Sequence, residues 1–271
     1  MIEASAADRL SQRLRDARQN KRAALIGYVV AGDPDLETTE LVITALADAG
    51  LDVLELGIPY SDPLADGPTV AAAGQRALAA GTTLEAIFGL VERLQQLVPI
   101  ILFTYFNPVF HYGIERFAER AARVGASGLI VPDITLEEIS EVRGSLQSKG
   151  LPFPLLISPT TEPTRAGKIA AASDGFVYVV SRLGVTGEDN RPDLAWLRSR
   201  VEQLRLVTDK PLAVGFGIST PAQVAAVADW ADGVIVGGGL VSSYSGSSGV
   251  TAARLAASYV SSLLGALARG D

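Results

Sequence analysis

Short apolar, β-rich runs alternate with longer segments in which apolar residues recur every three or four positions. The runs predict strands near Ala24–Ala31, Asp52–Ile58, Ile100–Tyr105, Gly128–Val131, Phe153–Ile157, Gly175–Val180, Leu212–Gly215 and Gly233–Val236. The longer segments predict helices near Leu36–Ala49, Leu84–Leu97, Ile114–Val124, Leu136–Ser148, Glu162–Ala171, Leu194–Val207, Pro221–Asp229 and Thr251–Ala268. Thr83, Thr135 and Thr220 stand where N-caps are wanted, and Thr135 with Glu138 has capping-box spacing. The strands are almost continuously apolar, as parallel strands covered on both faces must be. Eight strand–helix units in one chain predict a single-domain (β/α)8 barrel over residues 1–271, with Ala6–Gln19 as an extra N-terminal helix. A doubly wound open sheet is the alternative, but no G-x-G-x-x-G opens a helix after the first strand. Asn107–Gly113 reads as an exposed loop, and the Ser/Gly-rich Val241–Gly249 as a flexible one.

One strand breaks the apolar rule. Alternation puts Val53, Glu55 and Gly57 on one face of the second strand, and Leu54, Leu56 and Ile58 on the other. A carboxylate there is costly unless it is satisfied or used. Asp66 follows in a loop stiffened by Pro59, Pro63 and Pro68. Two acids in different settings can have their pKa values pushed apart and divide proton-transfer roles. A structural Glu in a buried hydrogen bond and a turn-capping Asp form the competing reading. In a barrel, chemistry sits at the C-terminal strand ends. The last three of these carry Gly184 and Gly187, then Gly215 and Gly217, then Gly237, Gly238 and Gly239. Backbone N–H groups free of side chains make such a cluster a candidate phosphate cradle.

Composition narrows the chemistry. The net charge of −7 and the lack of a basic run argue against nucleic acid and anionic membranes. No apolar run is long enough to span a membrane, and residues 1–5 do not resemble a secretory signal, so a cytoplasmic protein is expected. With no cysteine and only His111, thiol catalysis and a multi-histidine metal site are excluded, and no metal is expected. None of Lys21, Lys149, Lys168 and Lys210 falls at a C-terminal strand end, which disfavours a Schiff base. What remains is carboxylate acid/base chemistry on a phosphorylated substrate. If a carbon–carbon bond breaks, the electron sink must lie in the substrate.

The chain resembles the tryptophan synthase alpha subunits between about Ala24 and Leu240. The likeness is carried by Ala31-Gly32-Asp33-Pro34, the run Glu55-Leu56-Gly57-Ile58-Pro59-Tyr60-Ser61-Asp62-Pro63-Leu64-Ala65-Asp66-Gly67-Pro68, Gly184-Val185-Thr186-Gly187 and Gly215-Phe216-Gly217-Ile218-Ser219. The resemblance implies a (β/α)8 barrel that cleaves indole-3-glycerol phosphate to indole and glyceraldehyde 3-phosphate. It implies Glu55 as general acid/base, Asp66 as the carboxylate bonding the indole N–H, and Tyr178 beside the Glu. It further implies Gly187, Gly217, Gly237 and Gly238 as the phosphate-binding backbone, and Tyr28, Phe103 and Thr186 in the substrate pocket. No cofactor is implied in this chain; pyridoxal phosphate is expected in a partner beta subunit. An alpha2-beta2 assembly would use the Asp62–Pro68 and Tyr105–Tyr112 loops. Two other readings stay open: a stand-alone lyase releasing free indole, and a weakly active barrel that mainly activates the partner. Family members commonly carry Ser-Ala where this chain has Gly238-Gly239, so a hydroxyl contact to phosphate is missing.

Overall fold

The computed structural model describes residues 6–181 and 193–267. Within them, α1 (Ala6–Gln19) is followed by β1 (Ala24–Val30), α2 (Leu36–Asp48), β2 (Val53–Gly57), α3 (Pro68–Ala79), α4 (Leu84–Leu94) and β3 (Ile100–Phe103). Next come α5 (Phe106–Tyr112), α6 (Ile114–Arg123), β4 (Gly128–Ile130), α7 (Ile139–Ser148), β5 (Leu155–Ile157), α8 (Pro163–Ala172) and β6 (Val177–Val180). The chain continues through α9 (Leu194–Arg205), β7 (Leu212–Gly215), α10 (Pro221–Ala228), β8 (Gly233–Val236), α11 (Gly238–Tyr244) and α12 (Gly249–Leu264). All pairings are parallel, in the order β4-β3-β2-β1-β8-β7-β6-β5. Leu129 N–H of β4 donates to the Pro152 carbonyl just before β5, at 3.0 Å, drawing the two ends together into a (β/α)8 barrel.

Alternation along the strands sorts the core into two clusters. Leu54 and Leu56 face outward into the layer beneath the helices, whereas Ile26, Tyr28, Val53, Ile101, Phe103, Phe176 and Tyr178 fill the barrel interior. Leu10, Leu14 and Ala17 lie on one face of α1 and join the interior cluster, so this helix packs into the barrel. At the opposite mouth α3 turns Ala73 and Ala77 inward. The bottom of the barrel is tied by a device used twice. Asp52 accepts the Leu25 N–H at 2.8 Å and pairs with Arg22, and Asp232 accepts the Leu212 N–H at 2.9 Å and pairs with Arg205. Each buried carboxylate thus starts a neighbouring strand with its charge matched.

One expected cap is met in full, and four helices depart from the sequence reading. Thr220 and Gln223 form a full capping box on α10. Thr135 and Glu138 interact, with Glu138 accepting from Thr135 N–H and hydroxyl at 3.3 and 2.6 Å, yet α7 begins only at Ile139. Residues 107–113, expected as a loop, are largely the helix α5, and His111 on it is exposed. The first part of Val241–Gly249 is likewise helical, as α11, and its Val241 and Tyr244 are buried. Helix α3 has no counterpart among the predicted helices: its buried positions are Ala73, Gly74 and Ala77, too small to make an apolar stripe. Pro68 at its first turn is the one local signal for it. No described helix is long and apolar enough to cross a membrane.

Candidate active site

The C-terminal strand ends enclose a cavity of about 140 Å³, whose lining includes Tyr28, Glu55, Asp66, Phe103, Tyr178, Phe216, Gly217, Ile235, Gly237 and Gly238. It therefore brings together eight of the ten residues singled out in the sequence. Thr186 and Gly187 lie outside the described residues. Each wall residue is placed by register. Tyr28 on β1 stands opposite Glu55 on β2, and Glu55 opposite Ile101 on β3. Tyr178 on β6 follows the inward phase of Phe176. Phe103 meets the Tyr28 ring edge-on, with centroids 5.5 Å apart.

Two glycines on the wall strands explain how bulky tyrosines fit in so narrow a barrel. A Cβ on Gly57 would lie 2.1 Å from the Tyr28 hydroxyl oxygen, and a Cβ on Gly215 would lie 2.5 Å from that of Tyr178. Each glycine vacates the space that the ring from the neighbouring strand occupies. The Gly238-Gly239 pair divides in the same way. A Cβ on Gly239 would meet the Tyr259 hydroxyl at 2.4 Å and Ser219 Cβ at 2.8 Å, whereas one on Gly238 would meet nothing within 4 Å. Packing demands glycine at the second position only.

The electrostatics follow from burial. Glu55 is 1% exposed and its Oε1 has no hydrogen-bond partner. Desolvation alone pushes its carboxyl up from 4.5 to about 8, because the ionised form has lost water and gained no compensating donor. Asp66 is also pushed up, from 3.8 to about 6, by burial; a hydrogen bond from Tyr105 works against the rise. Burial likewise drives the Tyr28 and Tyr178 phenols well above their ordinary range, with nearby carboxylates adding to it, so both stay neutral. At neutral pH the cavity therefore holds one protonated and one ionised carboxyl. Among the described residues no lysine or arginine lines it, and no group of three or more His, Asp or Glu is placed to hold a metal.

Sequence reasoning missed several wall residues. Thr69 and Val70 come from the unexpected α3. Ile235 was legible in principle, as it shares the inward phase of β8 with Gly233. Phe216 stood inside a quoted motif but had no reason attached. It has φ +70°, a left-handed conformation unusual for a bulky residue, and stacks edge-on against Tyr178 at 5.6 Å. Strain of this kind collects where a side chain must be aimed. Around the mouth, Leu64 and Phe110 are 78% and 61% exposed, and Phe110 contacts Phe106 on the same helix. Tyr105, expected on this outer surface, is instead buried against the Asp66 loop.

The comparisons agree with this architecture. The family described as tryptophan synthase alpha chain matches residues 14–262. The tryptophan synthase alpha chain of Picosynechococcus sp. is 50% identical over 239 residues, covering 86% of this chain and 89% of its own. That of Geobacter sp. is 45% identical over 267 residues, covering 97% and 99%. A chain of the Mycobacterium tuberculosis tryptophan synthase structure superposes with a TM-score of 0.89 at 35% identity, covering 99% of this chain and 100% of that one. On the strength of fold, cavity and these matches, the chain belongs to the tryptophan synthase alpha chain family.

Proposed function

We propose that Glu55, Asp66 and Tyr178 carry the family's reaction in this chain: retro-aldol cleavage of indole-3-glycerol phosphate to indole and glyceraldehyde 3-phosphate, in tryptophan biosynthesis. The chain is a lyase. Glu55, protonated at neutral pH because its carboxyl sits near 8, delivers its proton to indole C3. The resulting C=N accepts electrons. Glu55, now an unpaired carboxylate in a dry site, is driven to take a proton back. The hydroxyl on the carbon attached to C3 is its source. As that proton leaves, the carbon becomes the aldehyde of glyceraldehyde 3-phosphate, the C3–carbon bond breaks, and its electron pair restores the indole ring.

Asp66 is ionised for most of the population at pH 7, as its carboxyl sits near 6. Its oxygens accept the indole N–H and oppose the positive charge that develops on nitrogen, an interaction strongest in the transition state. Tyr178 and Phe216 hold Glu55's side of the cavity, and Phe103 and Tyr28 form the apolar wall for the ring. The backbone at Gly217, Gly237 and Gly238, with Gly187, binds the phosphate, and Thr186 belongs to the substrate pocket. This mechanism uses neither metal nor Schiff base, and the chain needs no cofactor of its own. Leu64 and Phe110, exposed within residues 62–68 and 105–112, offer apolar surface suited to a pyridoxal-phosphate-dependent beta subunit in an alpha2-beta2 assembly. The assembly would act in the cytoplasm.

One observation carries the reading: two carboxyls share a small cavity with one held near 8 and the other near 6. The test is indole release from indole-3-glycerol phosphate by the wild type and Glu55→Gln, each with and without purified beta subunit. The glutamine variant should lose about 10²–10⁴-fold in turnover in both arms, the usual worth of a positioned acid/base group. Turnover equal to wild type refutes the assignment. A beta-dependent rise supports the partner, and turnover indifferent to it marks a stand-alone lyase.

A further inference from the structure

Arg200 on α9 is 7% exposed, and among the described residues it is the only lysine or arginine in the buried core. Other guanidinium groups that leave the surface meet a carboxylate: Arg22 pairs with Asp52, Arg76 with Asp33 and Arg205 with Asp232. Arg200 pairs with no carboxylate among the described residues. Its Nη2 donates to the Thr161 carbonyl, and its buried Nε has no partner. The guanidinium carbon lies 5.6 Å from the centre of the Trp196 ring, a contact that offsets part of the lost hydration but supplies no acceptor. A positive charge left in this state is costly, and a matching anion lowers the cost.

Arg200 lines a cavity of about 370 Å³ between the β5–α8 connection and α9, and no residue of this cavity lines the candidate active site. Ser199 and Gln203 join it from α9 and Thr160 from the connection, so hydroxyls and an amide stand around the charge. Glu162 and Pro163 bring the start of the ten-residue helix α8 to the same cavity. Glu162 is the N-cap but makes no side-chain cap hydrogen bond, so the first-turn N–H groups of α8 keep no side-chain acceptor there. We propose that this cavity is a second anion site, which takes the phosphate group of a small molecule, with Arg200 as its charge and the hydroxyls and the α8 N-terminus as further donors. A guanidinium fork and backbone amides suit phosphate, whose oxygens accept from several directions. The volume falls within the roughly 300–1,000 Å³ of small-molecule pockets. Glu162 is exposed and is the one acid on the lining, so its charge opposes the anion and gives one arm of the test its sign.

Trp196 and Trp230 are the only tryptophans of the chain, so full-length Trp230→Phe keeps Trp196, beside Arg200, as sole fluorescent reporter. This protein is titrated with inorganic phosphate, the ionic strength held constant with potassium chloride. The titration is repeated after adding Arg200→Gln, Arg200→Lys or Glu162→Gln, the fold of each checked by circular dichroism. The Trp196 signal should change saturably with phosphate, and binding should weaken by about tenfold or more in Arg200→Gln, which loses a charge-assisted donor. Arg200→Lys keeps the charge without the fork and should lie between the two; it carries the comparison if the glutamine variant does not fold. Glu162→Gln should bind phosphate more tightly, since a like charge is gone. A wild-type signal that does not respond to phosphate overturns the proposal. So does an equal response in the folded Arg200 variants, which puts the phosphate elsewhere, the active-site cradle included. A response that appears only in Glu162→Gln also overturns it, because Glu162 is then the anion that Arg200 holds.

Discussion

Replacing Glu55 by Gln should make the protein more stable, and increasingly so as pH rises. The unfolded chain ionises this carboxyl near its ordinary 4.5, whereas the folded protein holds the proton until about 8. Between those values the unfolded state releases a proton that the folded state keeps, so stability falls by about 1.4 kcal/mol for each pH unit. The contribution is fully present below pH 4.5, is lost as pH rises through about 8, and then levels off. From pH 5, where the unfolded carboxyl is already mostly ionised, to pH 8, the loss comes to about 3.5 kcal/mol. The glutamine amide cannot ionise, and Oε1 forfeits no hydrogen bond on substitution because it makes none. Asp66 titrates in both proteins and cancels in the difference. Urea unfolding of wild type and Glu55→Gln at pH 5 and pH 8 is the assay. The stability gain of the variant should be larger at pH 8 by about 3–4 kcal/mol. A gain that differs by less than about 1 kcal/mol between the two pH values would refute the claim that burial alone governs this carboxyl.

Two further substitutions probe the walls. Gly57→Ala puts a methyl group 2.1 Å from the Tyr28 hydroxyl oxygen and should cost about 1–3 kcal/mol of stability. Adding Tyr28→Phe should recover part of that cost in urea unfolding, and strictly additive losses would show that the two side chains do not collide. Gly238→Ser meets no atom within 4 Å and a backbone that is not left-handed, so it should be accommodated and tighten glycerol phosphate binding by at most about 1–2 kcal/mol. Calorimetric titration checks this, with unchanged or weaker binding meaning that phosphate does not reach that side of the cradle.

The barrel was legible because its signals are repeated: eight short, nearly continuous apolar runs, each followed by a segment of period 3.6. The inward face of β2 followed from side-chain alternation, whereas Tyr178 came from the family resemblance and shares its inward phase with Phe176. The short helices were not legible. Helix α5 carries Pro108 in its first turn, α11 opens on two glycines, and α3 buries alanines, so none of the three displays an apolar stripe. Gly57 and Gly215 could be read as inward positions, but their reason lies across the sheet, in tyrosines 29 and 37 residues away in sequence. Tyr105 shows the same limit. An aromatic residue ahead of Asn107 and Pro108 looks like surface, and only the packed structure turns its hydroxyl onto the Ala65 amide.

The central claim is that Glu55 is protonated in the working enzyme while Asp66 is not. It is tested most directly by infrared difference spectroscopy of the carboxyl C=O stretch, wild type minus Glu55→Gln, titrated from pH 5 to pH 9. The account predicts a protonated carboxyl band that persists at pH 7 and disappears with a midpoint of about 8. A band already absent at pH 6, with its midpoint close to the ordinary 4.5, would contradict it.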